Sequence, residues 1–197
     1  MSKDFFRYYT SFFGGFLFRW VDKQKIKIIK EEFSIYKNNS LILDLGSGTG
    51  NLSYILKKIG KRVICIDIEK ECLMICKEKG LEIMERNLEK NLPFKNNSVD
   101  GILFSDIIEH LNNPKKIISE IKRCLKNKGK LILFTPAYDS INWIIAEKIH
   151  NYLTKRKSGH ISPFTYESLD YLLSKYFTNI KIKKINFGLT LYALCIK

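Results

Sequence analysis

The chain has 197 residues, enough for one domain with a sizeable core, and 45% of them are hydrophobic, which excludes a disordered chain. Its formal net charge is +14, carried mostly by lysine, a balance that suits contact with RNA, anionic lipid or an acidic substrate. No run of about eighteen uncharged apolar residues is present, so no membrane-spanning helix is expected.

Residues 4–30 open the chain as an aromatic amphipathic stretch. Phe5, Tyr8, Tyr9, Phe12, Phe13, Phe16 and Trp20 recur at helical spacing. Asp4, Arg7, Arg19 and Asp22 interrupt the stretch and no small-residue cleavage site follows. It therefore does not read as a secretory signal, and a cytoplasmic location is expected. Three readings stand for this segment: a helical lid over 1–35 that covers a ligand, a helix resting on a membrane surface beside Lys3, Arg7, Arg19 and Lys23, or a helix packed on the core.

Residues 41–45 are a short apolar run ending in glycines, which predicts a buried parallel strand. A helix follows over 50–59, with Leu52, Ile55, Leu56 and Ile59 on one face. Arg62–Ile66 reads as the second strand, Lys70–Lys79 as a helix closed by Gly80, and Leu81–Arg86 as the third strand. After a polar loop around Pro93, Val99–Ser105 is the fourth strand. Asn113 caps a helix that has Pro114 in its first turn and a stripe of Ile117, Ile118, Ile121, Cys124 and Leu125. Gly129 ends that connection and Lys130–Thr135 is the fifth strand. An insertion over 139–157 carries Ile141, Ile144, Ile145, Ile149, Tyr152 and Leu153 on one helical face. Tyr166–Phe177 is a late helix, and 179–186 and 190–196 are strands joined at Gly188.

Strands alternating with helices predict an α/β fold: a Rossmann-like, doubly wound, seven-stranded sheet, mostly parallel with an antiparallel C-terminal strand, and helices on both faces. The expected divisions are a lid over 1–35, a ligand-binding core over 36–138, a helical insertion over 139–160, and a helix with a hairpin over 161–197. The five cysteines, Cys65, Cys72, Cys76, Cys124 and Cys195, form no framework and read as reduced, buried thiols. Cys72 and Cys76 share a helical face, but no C-x-x-C pair or nearby histidine joins them, so no metal is predicted.

The sharpest signal is Asp44-Leu45-Gly46-Ser47-Gly48-Thr49-Gly50 between a strand and a helix. Alternate glycines let the backbone turn tightly and a ligand approach it, and the helix that follows offers free backbone N–H groups. Asp67 ends the next strand 21 residues after Gly46, where a carboxylate suits the two hydroxyls of a ribose. A nicotinamide fingerprint needs its third glycine at position 51, which is Asn51 here. Asp44 beside the loop suits a ligand bearing an ammonium group better than a pyrophosphate. The pattern thus points to an amino-acid-bearing nucleoside.

These residues resemble the first motif of the class I S-adenosylmethionine-dependent methyltransferases. Later segments are similar to the subfamily that includes small-molecule and quinone methyltransferases: Asn87-Leu88-Glu89 with Leu92-Pro93-Phe94, Asn97-Ser98-Val99-Asp100, Ser105-Asp106-Ile107-Ile108-Glu109-His110-Leu111, Gly129-Lys130-Leu131 with Thr135-Pro136, and Gly159-His160 with Phe164-Thr165. The resemblance covers about residues 36–197. It implies S-adenosylmethionine as cofactor and S-adenosylhomocysteine as product. Gly46, Ser47, Gly48 and Gly50 would line the cofactor, with Asp44 at its amino-acid end, Asp67 on the ribose, Ile68 beside the adenine, and Asn87 with Leu88 at the adenine edge. Many relatives carry Asp where this chain has Asn87, which implies a weaker contact. Ser105 and Asp106 would lie near the methyl-bearing sulfur.

Methyl transfer from a sulfonium needs chiefly in-line positioning, and a base only where the acceptor must lose a proton. His110, His160 and Asp106 are the candidates for that base. Each histidine also has a structural reading, as do Asp44 (a brace for the loop), Asp67 (a strand end), and Ile68 and Leu88 (core); Glu109 reads as a helix-start residue. The expected partner is a small-molecule acceptor, apolar or membrane-derived, with peripheral membrane contact as one option. Two rival functions stand beside it: an RNA methyltransferase, less favoured because no RNA-binding appendage accompanies the charge, and a protein that binds the cofactor without catalysis. The acceptor and the oligomeric state are not legible.

Overall fold

A computed structural model describes residues 12–154 and 160–197. Phe5, Tyr8 and Tyr9 of the expected lid lie outside the described residues, as do the side chains of Phe12, Phe13, Phe16 and Trp20 and residues 155–159. Helix α1 (Phe12–Ser34) precedes strand β1 (Leu41–Leu45) and helix α2 (Asn51–Lys58). Strand β2 (Arg62–Asp67), helix α3 (Lys70–Glu78) and strand β3 (Glu82–Glu85) complete the first half. Strand β4 (Val99–Ser105) leads through a single 3-10 turn (Ile108–His110) to helix α4 (Pro114–Cys124) and strand β5 (Leu125–Pro136). Helix α5 (Ile141–Thr154), helix α6 (Tyr166–Ser174) and strands β6 (Asn179–Ile185) and β7 (Thr190–Ile196) follow.

The seven strands form one sheet in the order β3-β2-β1-β4-β5-β7-β6. The first five are mutually parallel, and β7 runs antiparallel between β5 and β6. The predicted fold class is therefore the observed one. Strand order reverses where β1 sits between β2 and β4, and the cleft at the carboxyl ends of these strands is the natural ligand site of such a sheet.

Residue alternation along the strands feeds two cores. On one face Leu43, Leu45, Ile102 and Phe104 meet the α4 stripe Ile117, Ile118 and Ile121 and Leu169 and Leu173 of α6. On the other, Ile42, Leu103, Ile132 and Phe134 meet Leu56 of α2, Leu73 of α3 and Ile29 and Phe33 of α1. The C-terminal part of α1 thus packs on the sheet, while the three readings of the aromatic stretch before it fall outside the described side chains. Helix α4 starts as the sequence predicts, with Asn113 Oδ1 accepting from the Lys116 N–H at 3.2 Å and Pro114 in the first turn.

Boundaries differ in one informative place. The expected fifth strand begins at Lys130 and the expected helix includes Leu125. In the structure α4 ends at Cys124 and β5 starts at Leu125, which pairs with Val99 before the register shifts to Gly101 with Lys130. The extra residues form a bulge with Lys128 in the left-handed region, φ 63°. No helix among the described residues is long and apolar enough to cross a membrane.

Candidate functional site

The glycine loop leaves β1 and folds back over β2. Gly46 and Ser47 donate their N–H groups to the Ile66 carbonyl at 2.7 and 3.1 Å, and the Gly50 N–H closes on the Ser47 carbonyl at 2.9 Å. Gly46 and Gly48 both have positive φ, 72° and 50°. A Cβ on Gly46 would lie 2.3 Å from Ile107, so this position admits no side chain. A Cβ on Gly48 would meet nothing within 4 Å: the loop is open there, and a ligand can reach its backbone. Gly50 starts α2 and packs against Cys76.

Asp67 stands at the end of β2 and turns toward this loop. Its carboxylate accepts the Gly48 N–H at 2.8 Å and the Glu69 N–H at 3.0 Å, and it remains half-buried. Asp44 lies behind the loop. It is 3% exposed and accepts a hydrogen bond from Ser53 Oγ at 2.6 Å; Ser53 in turn accepts from Cys65 Sγ. Burial pushes the Asp44 carboxyl up to about 7, against the Ser53 bond, which pulls it down. Asp44 therefore braces the first turn of α2 while facing the loop from below.

Ile68 is 57% exposed beside Asp67 and lines, with Glu85, Arg86, Asn87 and Lys90, a cleft of about 390 Å³. An exposed isoleucine at the rim of a cleft is a surface for a flat apolar group. Asn87 Oδ1 accepts the Glu89 N–H at 2.8 Å, which fixes the side chain and leaves one lone pair at the expected adenine edge. Leu88 is buried within the core of the α4 face, which matches its alternative reading as ordinary core.

At the end of β4, Ser105 and Asp106 meet a residue that the sequence reading did not select. Lys25 of α1 forms an ion pair with Asp106 Oδ2 and lies 3.4 Å from Ser105 Oγ, which itself bonds Asp106 at 2.9 Å. Burial alone would raise the Asp106 carboxyl, but the Lys25 ammonium overrides it and holds the group below its ordinary value. Lys25 sits in a lysine-rich run that reads as a solvated face. In the helix it stands four residues before Ile29 and eight before Phe33, on the stripe that packs against the sheet.

The next turn gathers the histidines. His110 and His160 have ring centroids 4.9 Å apart, and the His160 Nδ1 bonds the Tyr138 hydroxyl. Glu147 of α5 lies 3.6 Å from the same nitrogen and Trp143 packs near the ring. Burial, with His110 alongside, holds His160 below its ordinary value, so it is neutral at neutral pH. Glu109 is fully buried and bonds the Thr135 hydroxyl at 3.0 Å, while its backbone carbonyl accepts from Ile161 and Ser162. Burial pushes its carboxyl up to about 8. Glu109 thus ties β5 to the late loop. Glu109, His110 and His160 offer ligand atoms within 4.8 Å of one another, chemistry that suits a divalent cation where the sequence predicted none. Tyr138, Trp143 and Glu147 carry no motif and were not singled out.

The geometry brings Asp44, Gly46, Ser47, Gly48, Gly50, Asp67 and Ile68 around one loop, and Ser105, Asp106, His110 and His160 along the adjoining strand ends. Residues 43–133 match a family described as a methyltransferase domain. An uncharacterized protein of Methanocaldococcus jannaschii is 35% identical over 58% of this chain and 55% of its own length. A ubiquinone/menaquinone biosynthesis C-methyltransferase of Wigglesworthia glossinidia brevipalpis is 31% identical over 74% of this chain and 62% of its own length. The chain thus spans just over half of the first relative and less than two thirds of the second. A crystal structure of a SAM dependent methyltransferase from Archaeoglobus fulgidus superposes with a TM-score of 0.73 at 17% identity, covering 89% of this chain and 94% of that one, a likeness of fold.

Proposed function

We propose that the chain is a class I S-adenosylmethionine-dependent methyltransferase, its residues 43–133 matching a methyltransferase domain, and that it transfers a methyl group to a small apolar acceptor reached from a membrane surface. The residues present fit the cofactor. Open backbone at Gly48 leaves room against the loop. The Asp67 carboxylate, bonded once on each oxygen, keeps lone pairs for ribose hydroxyls. Exposed Ile68 offers an apolar face for a base, and Asp44 behind the loop, once ionised, offers negative charge toward an ammonium group.

When bound, S-adenosylmethionine supplies a methyl on a sulfonium that leaves as a neutral thioether. The chain's own part is to hold the acceptor in line and keep water out. Asp106 is the anion at this edge, and neutral His160 is the group able to take a proton from an acceptor hydroxyl. Tyr138 orients the His160 ring through Nδ1.

The observation that carries the choice of acceptor is α5. It rises directly after Tyr138 and presents Ile141, Ile145, Ile149 and Tyr152 to solvent, with Tyr152 84% exposed. Phe187 of the β6–β7 turn is exposed beside it, its carbonyl bonded to Asn142 at 2.7 Å. An apolar face on a chain of net charge +14 suits an anionic bilayer. The quinone chemistry in the name of one relative supports an apolar acceptor.

The test uses labelled S-adenosylmethionine with three acceptor pools: bilayer-extracted apolar phenols and quinones, water-soluble amines and acids, and tRNA. Label in the first pool alone is the expected result. Label in tRNA, with salt-dependent retention on it, would replace this reading with the RNA one.

A further inference from the structure

Lys25 occupies a position where a helix packed on a sheet ordinarily carries an apolar residue. It stands one four-residue step before Ile29 and two before Phe33, and like them it is buried, at 4% exposure. An ammonium group in such a place is costly unless paired and hydrogen-bonded. Its partners are Asp106 Oδ2, Ser105 Oγ and the ring face of Phe134, whose centroid is 5.4 Å away.

Asp106 is not hidden to the same degree. Its side chain is 46% exposed, and its backbone is in the left-handed region at φ 55°, fixed by its N–H on the Phe134 carbonyl at 2.9 Å. The pair is therefore an oriented dipole. The negative end is open to solvent at the end of β4 and the positive end is buried.

We propose that the Lys25–Asp106 pair sets how strongly this site distinguishes S-adenosylmethionine from S-adenosylhomocysteine, an inference that rests on the reading that this edge receives the methyl donor. The two nucleosides differ by one methyl group and one positive charge. The open Asp106 carboxylate attracts the sulfonium. The Lys25 ammonium behind it offsets part of that attraction, and the neutral thioether formed by transfer feels neither. The other titratable groups facing Asp106 are Glu109 and His110 of the adjoining turn and His160 of the late loop. Lys25 is the cation that pairs directly with the Asp106 carboxylate.

Calorimetric titration with each nucleoside tests this on the full chain and on Lys25→Met, Asp106→Asn, the double variant and Lys25→Arg. It is run at about pH 7, where an ordinary carboxyl is ionised. The quantity read is the ratio of the two Kd values, in which any misfolded fraction cancels. Lys25→Met bares the carboxylate and should raise the preference for S-adenosylmethionine about tenfold. Asp106→Asn bares the ammonium and should lower it by a similar factor. The double variant and Lys25→Arg, which keep the pair neutral overall, should return to the parent ratio. Should Lys25→Met fail to fold, Asp106→Asn against the parent decides alone. An equal ratio in every variant, with both nucleosides still binding, overturns the inference. Absence of binding in the parent overturns the reading of the site instead.

Discussion

Asp67 holds the Gly48 amide at 2.8 Å, so one carboxylate at the end of β2 fixes the middle of the glycine loop of β1. The same group reaches the Glu69 amide at 3.0 Å, which sets the angle at which the chain leaves the strand. Loop shape therefore depends on the side chain to which the proposed function also gives the ribose hydroxyls.

Asp67→Ala should weaken S-adenosylmethionine binding by about tenfold or more, since loop amide and ligand hydroxyls lose their acceptor together. Asp67→Asn, which keeps one acceptor oxygen, should recover part of the loss. Calorimetry with NAD as the control nucleotide measures this, and an unchanged affinity in Asp67→Ala would remove the residue from the site.

Asp44 makes binding and stability respond to pH in opposite directions. Its carboxyl is raised by burial from 3.8 to about 7, so the folded state holds its proton more tightly than the unfolded chain does. The stability this confers is complete below the unfolded value and is lost as pH rises through about 7. Asp44→Asn, which stays neutral, should melt progressively above the parent as pH climbs across that window. A cationic ligand needs the ionised form, so parent affinity for S-adenosylmethionine should fall below about pH 7, while Asp44→Asn binds weakly throughout. A melting difference that does not vary with pH would contradict the assignment.

Glu109 is a buried acid raised to about 8, hence neutral at neutral pH, and its described side-chain partner is the Thr135 hydroxyl. Glu109→Gln should fold normally and gain stability over the parent as pH rises from 4.5 toward 8. Glu109→Ala leaves that hydroxyl buried and opens a void, and should cost about 1–3 kcal/mol in a denaturant melt. Equal losses for Gln and Ala would mean that the charged form matters.

The outward isoleucines of α5 should govern membrane contact without governing the fold. Ile145→Glu with Ile149→Glu changes two exposed positions, so stability should stay within about 0.5 kcal/mol of the parent. Sedimentation with anionic vesicles should drop sharply in the same variant. Full retention on vesicles by this variant, or none by the parent, would disconnect α5 from the bilayer.

The parts of this molecule legible in sequence are those whose signal is local. An apolar run into alternate glycines announces β1 and its loop, and Asn113-Pro114 announces α4. The early start of β5 was hidden because Lys126, Asn127 and Lys128 break the apolar pattern, and only the pairing of Leu125 with Val99 makes that stretch a strand. Lys25 was hidden for a similar reason: among neighbouring lysines nothing local marks the one that meets Asp106, 81 residues away. Leu88 could be read as ligand contact or core, and the loop around it resolves into core only once α4 is in place.

The insertion of β7 between β5 and β6 has a consequence for how the chain acquires its shape. Strands β1 to β5 emerge early during synthesis and can zip in parallel, together with the glycine loop and Asp67. The far border of β5 must wait for β7, which the ribosome delivers last of the described strands, and β6 has no partner until then. A nascent chain should therefore gain ligand-responsive protection around the loop before it loses an adhesive strand border, so aggregation during synthesis should track the delay between β5 and β7.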